Sequence, residues 1–198
     1  ETSPIYMYRA DVAAENIARA VDDPRIIAIL RNPVDRAYSD FLNMVRLARE
    51  PLLDFRLALE EENERIKKDW SPFYYYTEKG MYARQLEHYY DVFGKSKIKV
   101  LLFSDLVKDT QGVMDQIINF LGLETRELDL DKKHNRSRFP KLQLIHKIAS
   151  YPGVKSARGL FRGPVWNLID WVRRQNLTDE TPKLSASTRT RLEDKFRA

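Results

Sequence analysis

The sequence predicts an α/β fold, a parallel sheet flanked by helices, and two stretches carry that expectation. Ile26-Ile27-Ala28-Ile29-Leu30 and Ile98-Lys99-Val100-Leu101-Leu102-Phe103 are short aliphatic runs with little polar alternation. Such runs suit strands covered by helices on both faces. Each is followed by apolar residues at helical spacing: Ala37, Tyr38, Phe41, Leu42 and Val45 after the first, Val113, Met114, Ile117, Ile118 and Leu121 after the second. At 198 residues, with 43% hydrophobic and 11% aromatic residues, the chain has enough apolar material for one folded domain and too much for a disordered one.

The remaining elements follow in order. Residues 1–8 read as the end of a strand running into a loop, and a helix begins near Asp11 with Val12, Ile17 and Val21 on its apolar side. After the first strand, Asn32 is placed to cap a helix, and Pro33 suits its first turn, where a missing N–H costs nothing. Pro51 breaks that helix and Asp54 caps the next, with Phe55, Leu57, Ala58 and Leu59. The acidic run Glu60-Glu61-Glu62-Asn63-Glu64 reads as a solvated helix face. Trp70 to Tyr76 form an aromatic cluster, open between stacking on a sugar or adenine and packing over the sheet edge.

Gly80-Met81-Tyr82 opens a further helix carrying Leu86, Tyr89, Tyr90 and Phe93, which stops at Gly94; His88 within it reads as structural. The helix after the second strand closes at Gly122. Residues 131–147 hold six Lys or Arg against one acid, with Asn, Ser and Pro breaking any helix before Lys141. From Ser150 the chain reads as loops and helices. Core packing is favoured for Val165, Trp166, Leu168, Ile169, Trp171 and Val172 over an exposed aromatic stripe for a membrane or partner, and an amphipathic helix follows Pro182.

Several function classes are excluded by composition. No cysteine is present, which removes disulfides and Cys-type metal sites and points to a reducing compartment, the cytoplasm. His88, His134 and His146 have no metal-ligand spacing, so no metal is expected. No apolar run approaches a membrane span, and no signal-type segment occurs. The net charge of +5 suggests an anionic partner without naming it.

The candidate site is at the end of the first strand. Ligands of open α/β sheets bind at strand carboxyl ends, beside the N-termini of the following helices. Arg31 stands there, next to a helix start whose unpaired N–H groups favour an anion. Arg36 and Ser39 lie one turn apart on that helix and share a side. The competing reading is two solvated arginines and an ordinary helix serine.

The order Arg-Asn-Pro-x-x-Arg-Ala-x-Ser from Arg31 to Ser39 resembles the 3′-phosphate-binding segment of sulfotransferases that use 3′-phosphoadenosine 5′-phosphosulfate. The likeness is nearest to the carbohydrate branch that includes heparan sulfate N- and 3-O-sulfotransferases and their bacterial relatives. It implies a P-loop-like parallel sheet of the sulfotransferase type, with Arg31 and Ser39 holding the donor's 3′-phosphate. Glu1-Thr2-Ser3-Pro4-Ile5-Tyr6 resembles a Glu-x-Ser/Thr-Pro-x-Tyr segment of the family, although Thr2 replaces a frequent lysine. The stretch Val100 to Leu106, with Phe120-Leu121-Gly122-Leu123, is similar to the family's last strand and helix. Arg136-Ser137-Arg138-Phe139-Pro140 fits the basic loop that folds over the nucleotide, or is simply a solvated cluster.

The resemblance also defines what is expected elsewhere. The family's Gly-Lys-Thr-rich 5′-phosphosulfate loop, its catalytic lysine and its general base have no counterpart in these residues. Gly94-Lys95-Ser96 has the ending of a phosphate loop, yet Tyr89 stands where its first glycine belongs and a strand follows it. The expectation is therefore one α/β domain over residues 1–198, incomplete at its N-terminus. Its catalytic groups and first strand would lie before Glu1, and the fragment alone would be inactive. The co-substrate is the phosphosulfate donor, leaving adenosine 3′,5′-bisphosphate, and the acceptor is a glycan hydroxyl or amine. Nucleic acid is not an expected partner under this reading. The alternative is a non-catalytic basic α/β module that binds an anionic polymer or nucleic acid.

Overall fold

The computed structural model describes residues 4–47, 49–124, 139–140, 171, 177–178 and 182–197. Its elements run α1 (Pro4–Tyr8), α2 (Ala10–Ala20), β1 (Ile26–Leu30), α3 (Pro33–Arg46), α4 (Phe55–Glu60), α5 (Glu62–Lys67), α6 (Tyr82–Phe93), β2 (Ile98–Leu102), α7 (Phe103–Lys108) and α8 (Thr110–Leu121). They continue with β3 (Phe139–Pro140), β4 (Leu177–Thr178) and α9 (Ala186–Arg197). Two compact units are built from these: Glu1–Ala37, Thr77–Lys133 and Leu192–Ala198 form the first, and Tyr38–Tyr76 with His134–Arg191 the second.

The first unit is organised on β1 and β2, which pair in parallel, in register from Ile26↔Ile98 to Leu30↔Leu102. Helices α2 and α6 pack on this pair. Ala10, Ala14, Tyr89 and Ile98 form a buried cluster, with Ile17, Ile26, Phe93 and Val100 against it. Small residues on α2 let the Tyr89 ring approach, and its hydroxyl donates to the Tyr6 carbonyl at 3.0 Å. That bond ties α1 to the same core and satisfies a phenol that burial would otherwise penalise. Helix α6 ends at Gly94 with φ +76°, a conformation that favours glycine. Helix α8 is capped at its start by Asp109, which accepts from the Gly112 N–H at 2.9 Å, and closes at the left-handed Gly122.

The second unit contains an aromatic core. The Phe55 ring lies 5.0 Å from Phe41 and 5.9 Å from Tyr76, the latter edge-on. Behind it is a buried polar knot. Arg65 donates to both Glu50 carboxylate oxygens, at 2.9 and 2.7 Å, and the Tyr76 hydroxyl donates to the same carboxylate. Glu50, Arg65 and Tyr76 are all buried. Burial works against the Arg65 charge, but Glu50 outweighs it and raises the guanidinium's pKa. Burial, then the Glu50 charge, pushes the Tyr76 phenol far up. The remaining short elements of this unit, β3 and β4, pair antiparallel.

Several sequence expectations are corrected here. Pro4–Tyr8 is helical and not a strand end, because Pro4 starts a helix that continues almost directly into α2. Glu62 is buried and not solvated, since Phe55, Ala58, Glu62 and Arg65 recur at intervals of three and four and share the inner face. Of the aromatic cluster, whose role the sequence leaves open, Tyr75 and Tyr76 are buried in the second unit while Trp70 and Phe73 are exposed. The strand expected through Phe103 stops at Leu102, and Phe103 opens α7. Full cover of both strands does not reach their carboxyl ends, where Ile29 and Leu102 are 45% and 50% exposed. Trp171 is 57% exposed and so is no core residue. Val165, Trp166, Leu168, Ile169 and Val172 lie outside the described residues.

The knot predicts that Glu50→Ala, which strands a buried guanidinium, costs about 3–5 kcal/mol of stability in urea denaturation. A loss below about 1 kcal/mol, the scale of an exposed ion pair, would contradict this account of the second unit.

Candidate functional site

The site begins with a register. Because Leu30 and Leu102 are partners in parallel strands, the next residue of each chain segment leaves the same edge. Those residues are Arg31 and Phe103. The Arg31 guanidinium carbon lies 5.4 Å from the centre of the Phe103 ring, a cation–π contact. Both are solvent-exposed, Phe103 at 40%. A cation is thus presented at the carboxyl edge of the sheet, where ligands of such sheets are bound.

Helix α3 starts beside it. Asn32 Oδ1 accepts from the Val34 N–H at 3.0 Å and from the Asp35 N–H at 3.2 Å. The Arg36 N–H bonds to the Asn32 carbonyl at 2.9 Å, and Pro33 has no N–H to offer. The first-turn donors that were expected to greet an anion are therefore already satisfied. What remains for an anion is the Arg31 charge and the positive end of the helix dipole.

Ser39 is half-buried on the same unbroken helix, six residues past Pro33, or about 9 Å along its axis. Arg36 has a packing role. A Cβ added at Gly80 would lie 3.1 Å from Arg36 Nη2 and 2.7 Å from Phe196 Cε1, so a larger residue there would have to push these side chains aside. Lys195, one residue before that phenylalanine, donates to the buried Thr77 hydroxyl at 2.9 Å. The second guanidinium of the expected fork is thus packed against the lead-in to α6. Arg136, Ser137 and Arg138 lie outside the described residues.

Sequence reasoning missed Phe103, which it read as the last residue of a strand. No local signal marks it, because the two runs differ in length in the sequence and only the strand pairing, which ends at Leu30↔Leu102, sets Phe103 beside Arg31. A shallow cavity of about 180 Å³ does exist elsewhere, in the second unit, beneath Trp70 and beside Glu61, Glu64 and Lys68. Its Glu64 is already engaged by Lys67 at 2.7 Å, and neither Arg31 nor Ser39 lines it. The chemistry at the strand edge is the stronger candidate, because it presents an exposed cation where the fold places ligands.

Comparison with known proteins bears on this geometry. The family model of the sulfotransferase domain matches residues 15–150. Human heparan sulfate glucosamine 3-O-sulfotransferase 6 is 30% identical over 146 residues, 72% of this chain and 41% of that protein. Human heparan sulfate glucosamine 3-O-sulfotransferase 3B1 is 27% identical over 147 residues, 72% of this chain and 36% of its own. The crystal structure of a sulfotransferase from Alicyclobacillus acidocaldarius superposes with a TM-score of 0.61 at 32% identity, over 82% of this chain and 65% of that one. The chain spans about two fifths of the length of the curated relatives it matches.

The cap at Asn32 is testable by itself. Asn32→Ala is expected to cost about 1 kcal/mol in chemical denaturation, the usual value of a side-chain helix cap. A neutral result would mean that the start of α3 is held by something else.

Proposed function

The chain belongs to the family of sulfotransferases that use 3′-phosphoadenosine 5′-phosphosulfate, and from that premise we propose that it takes part in moving a sulfuryl group from this donor to a hydroxyl or amine of a carbohydrate. The observation that carries the reading is the exposed Arg31 guanidinium at the carboxyl end of β1, beside the capped start of α3. The donor, when bound, supplies the activated sulfuryl group. The role of these residues is to hold its far end.

In this reading Arg31 binds the 3′-phosphate through charge-assisted hydrogen bonds, and Ser39 adds a hydroxyl donor further along α3. With the first-turn amides occupied by Asn32, the arginine carries most of the recognition. Arg136, Ser137 and Arg138 are proposed, on their sequence alone, as a basic loop that covers the nucleotide. A glycan acceptor is supported by the names of the relatives, whose acceptor is heparan sulfate glucosamine. A family match that runs through residues of both units supports reading 1–198 as one sulfotransferase domain.

Among the described residues no helix is long and apolar enough to cross a membrane. The absence of cysteine favours a reducing compartment, and we place the protein in the cytoplasm on that basis.

Calorimetry tests the assignment. Arg31→Ala is expected to weaken adenosine 3′,5′-bisphosphate binding by about 1.5–3 kcal/mol, the value of a hydrogen bond to a charged group. Affinity equal to that of the unaltered protein would remove Arg31 from the site. A steep salt dependence with no preference for a 3′-phosphate would favour a module that grips anionic polymers instead.

A further inference from the structure

We propose that Phe103 is a positioning residue for Arg31: its ring carries the guanidinium face, so that the N–H edge is held ready for the 3′-phosphate. The inference rests on the reading of Arg31 given above and extends it to a residue that has no polar atom of its own.

Three observations support it. First, the parallel register ends at Leu30↔Leu102, so the backbone itself delivers residues 31 and 103 side by side. Second, Phe103 is 40% exposed at the start of α7, although a large ring is stabilised mainly by burial. Its described partner is the Arg31 guanidinium, 5.4 Å from the ring centre. Third, the kind of contact matters. A carboxylate partner would occupy the arginine fork and cancel its charge, as Glu50 does to Arg65. An aromatic ring offers no oxygen acceptor to the fork, so it leaves the N–H donors and the positive charge in place. Among the described residues Arg31 forms no ion pair that would compete.

The physical gain is pre-organisation. An exposed arginine samples many rotamers and must surrender them when it grips an anion. A ring that already restrains the guanidinium reduces that cost, and the benefit appears only with ligands that carry the group Arg31 binds. A residue that merely supports the fold would affect all nucleotides alike.

The test compares adenosine 3′,5′-bisphosphate with 5′-AMP by calorimetry on the full protein and its Phe103→Leu, Phe103→Tyr and Arg31→Ala variants. Phe103→Leu is expected to weaken the bisphosphate about two- to fivefold, the range of an exposed cation–π contact, and to leave 5′-AMP unchanged. Phe103→Tyr, which keeps a ring, should retain the preference. Phe103→Met replaces the leucine variant if that one fails to fold. Equal weakening of both nucleotides, or no weakening by Phe103→Leu where Arg31→Ala does weaken the bisphosphate, overturns the positioning role and leaves the Arg31 assignment standing. If Arg31→Ala itself keeps the full 3′-phosphate preference, the underlying reading falls, and this inference with it.

Discussion

The in-register parallel pairing of β1 with β2 is the constraint on which the rest of the candidate site depends. Five residue pairs, from Ile26↔Ile98 to Leu30↔Leu102, bring both strands to an end at one edge. Everything chemical then follows from where the next residues emerge. Arg31 meets Phe103, α3 departs behind Asn32, and α7 departs behind Leu102. A slip of one residue would reverse the faces of every strand side chain and separate the arginine from its ring. The register is held from behind by Ala14, Tyr89 and Ile98, so the packed core of the first unit serves the geometry of its solvent-facing edge.

Two arginines show how the same side chain is put to opposite uses. Arg65 is buried, bonded at both ends of its fork to Glu50, and flanked by Trp70 and Tyr74 at 5.3 and 5.4 Å. Its charge is consumed by the fold, which is why removing its partner is costly. Among the described residues Arg31 rests on the Phe103 ring, is solvent-exposed and forms no ion pair, so its charge is not consumed there. The cap of α3 sharpens that division. Asn32 satisfies the first-turn amides, which steadies the helix but withdraws those donors from anion binding. In the proposed site, recognition would thereby shift from backbone to side chain, to an arginine where many phosphate sites rely on a loop of amides.

Much of this was legible in the sequence, for reasons that differ by element. β1 and β2 were readable because short aliphatic runs, unbroken in β1 and interrupted only by Lys99 in β2, favour a covered strand. The stops at Gly94 and Gly122 were readable because both adopt positive φ, where other residues are strained. The caps at Asn32, Asp54 and Asp109 sit where short polar side chains reach the first-turn amides, and the first two were read in advance. Helix α1 was not, since five residues are too few for a periodic signal. Glu62 was misread because a run of like charges hides a single position on the inner face, and only the neighbours Phe55, Ala58 and Arg65 disclose it. Phe103 was missed for a deeper reason. Its partner follows a strand 72 residues away (103 minus 31), and contacts of that kind come from pairing, which local pattern does not report.

The account stands on the claim that the 3′-phosphate is received at the Arg31 edge of the sheet. Nuclear magnetic resonance mapping tests it most directly, through the difference between spectra recorded with adenosine 3′,5′-bisphosphate and with 5′-AMP. The account predicts that this difference concentrates on the Arg31 side-chain N–H signals and on the backbone amides of Asn32 and of Val34 to Arg36. A difference that bypasses those signals and falls on another surface would contradict it.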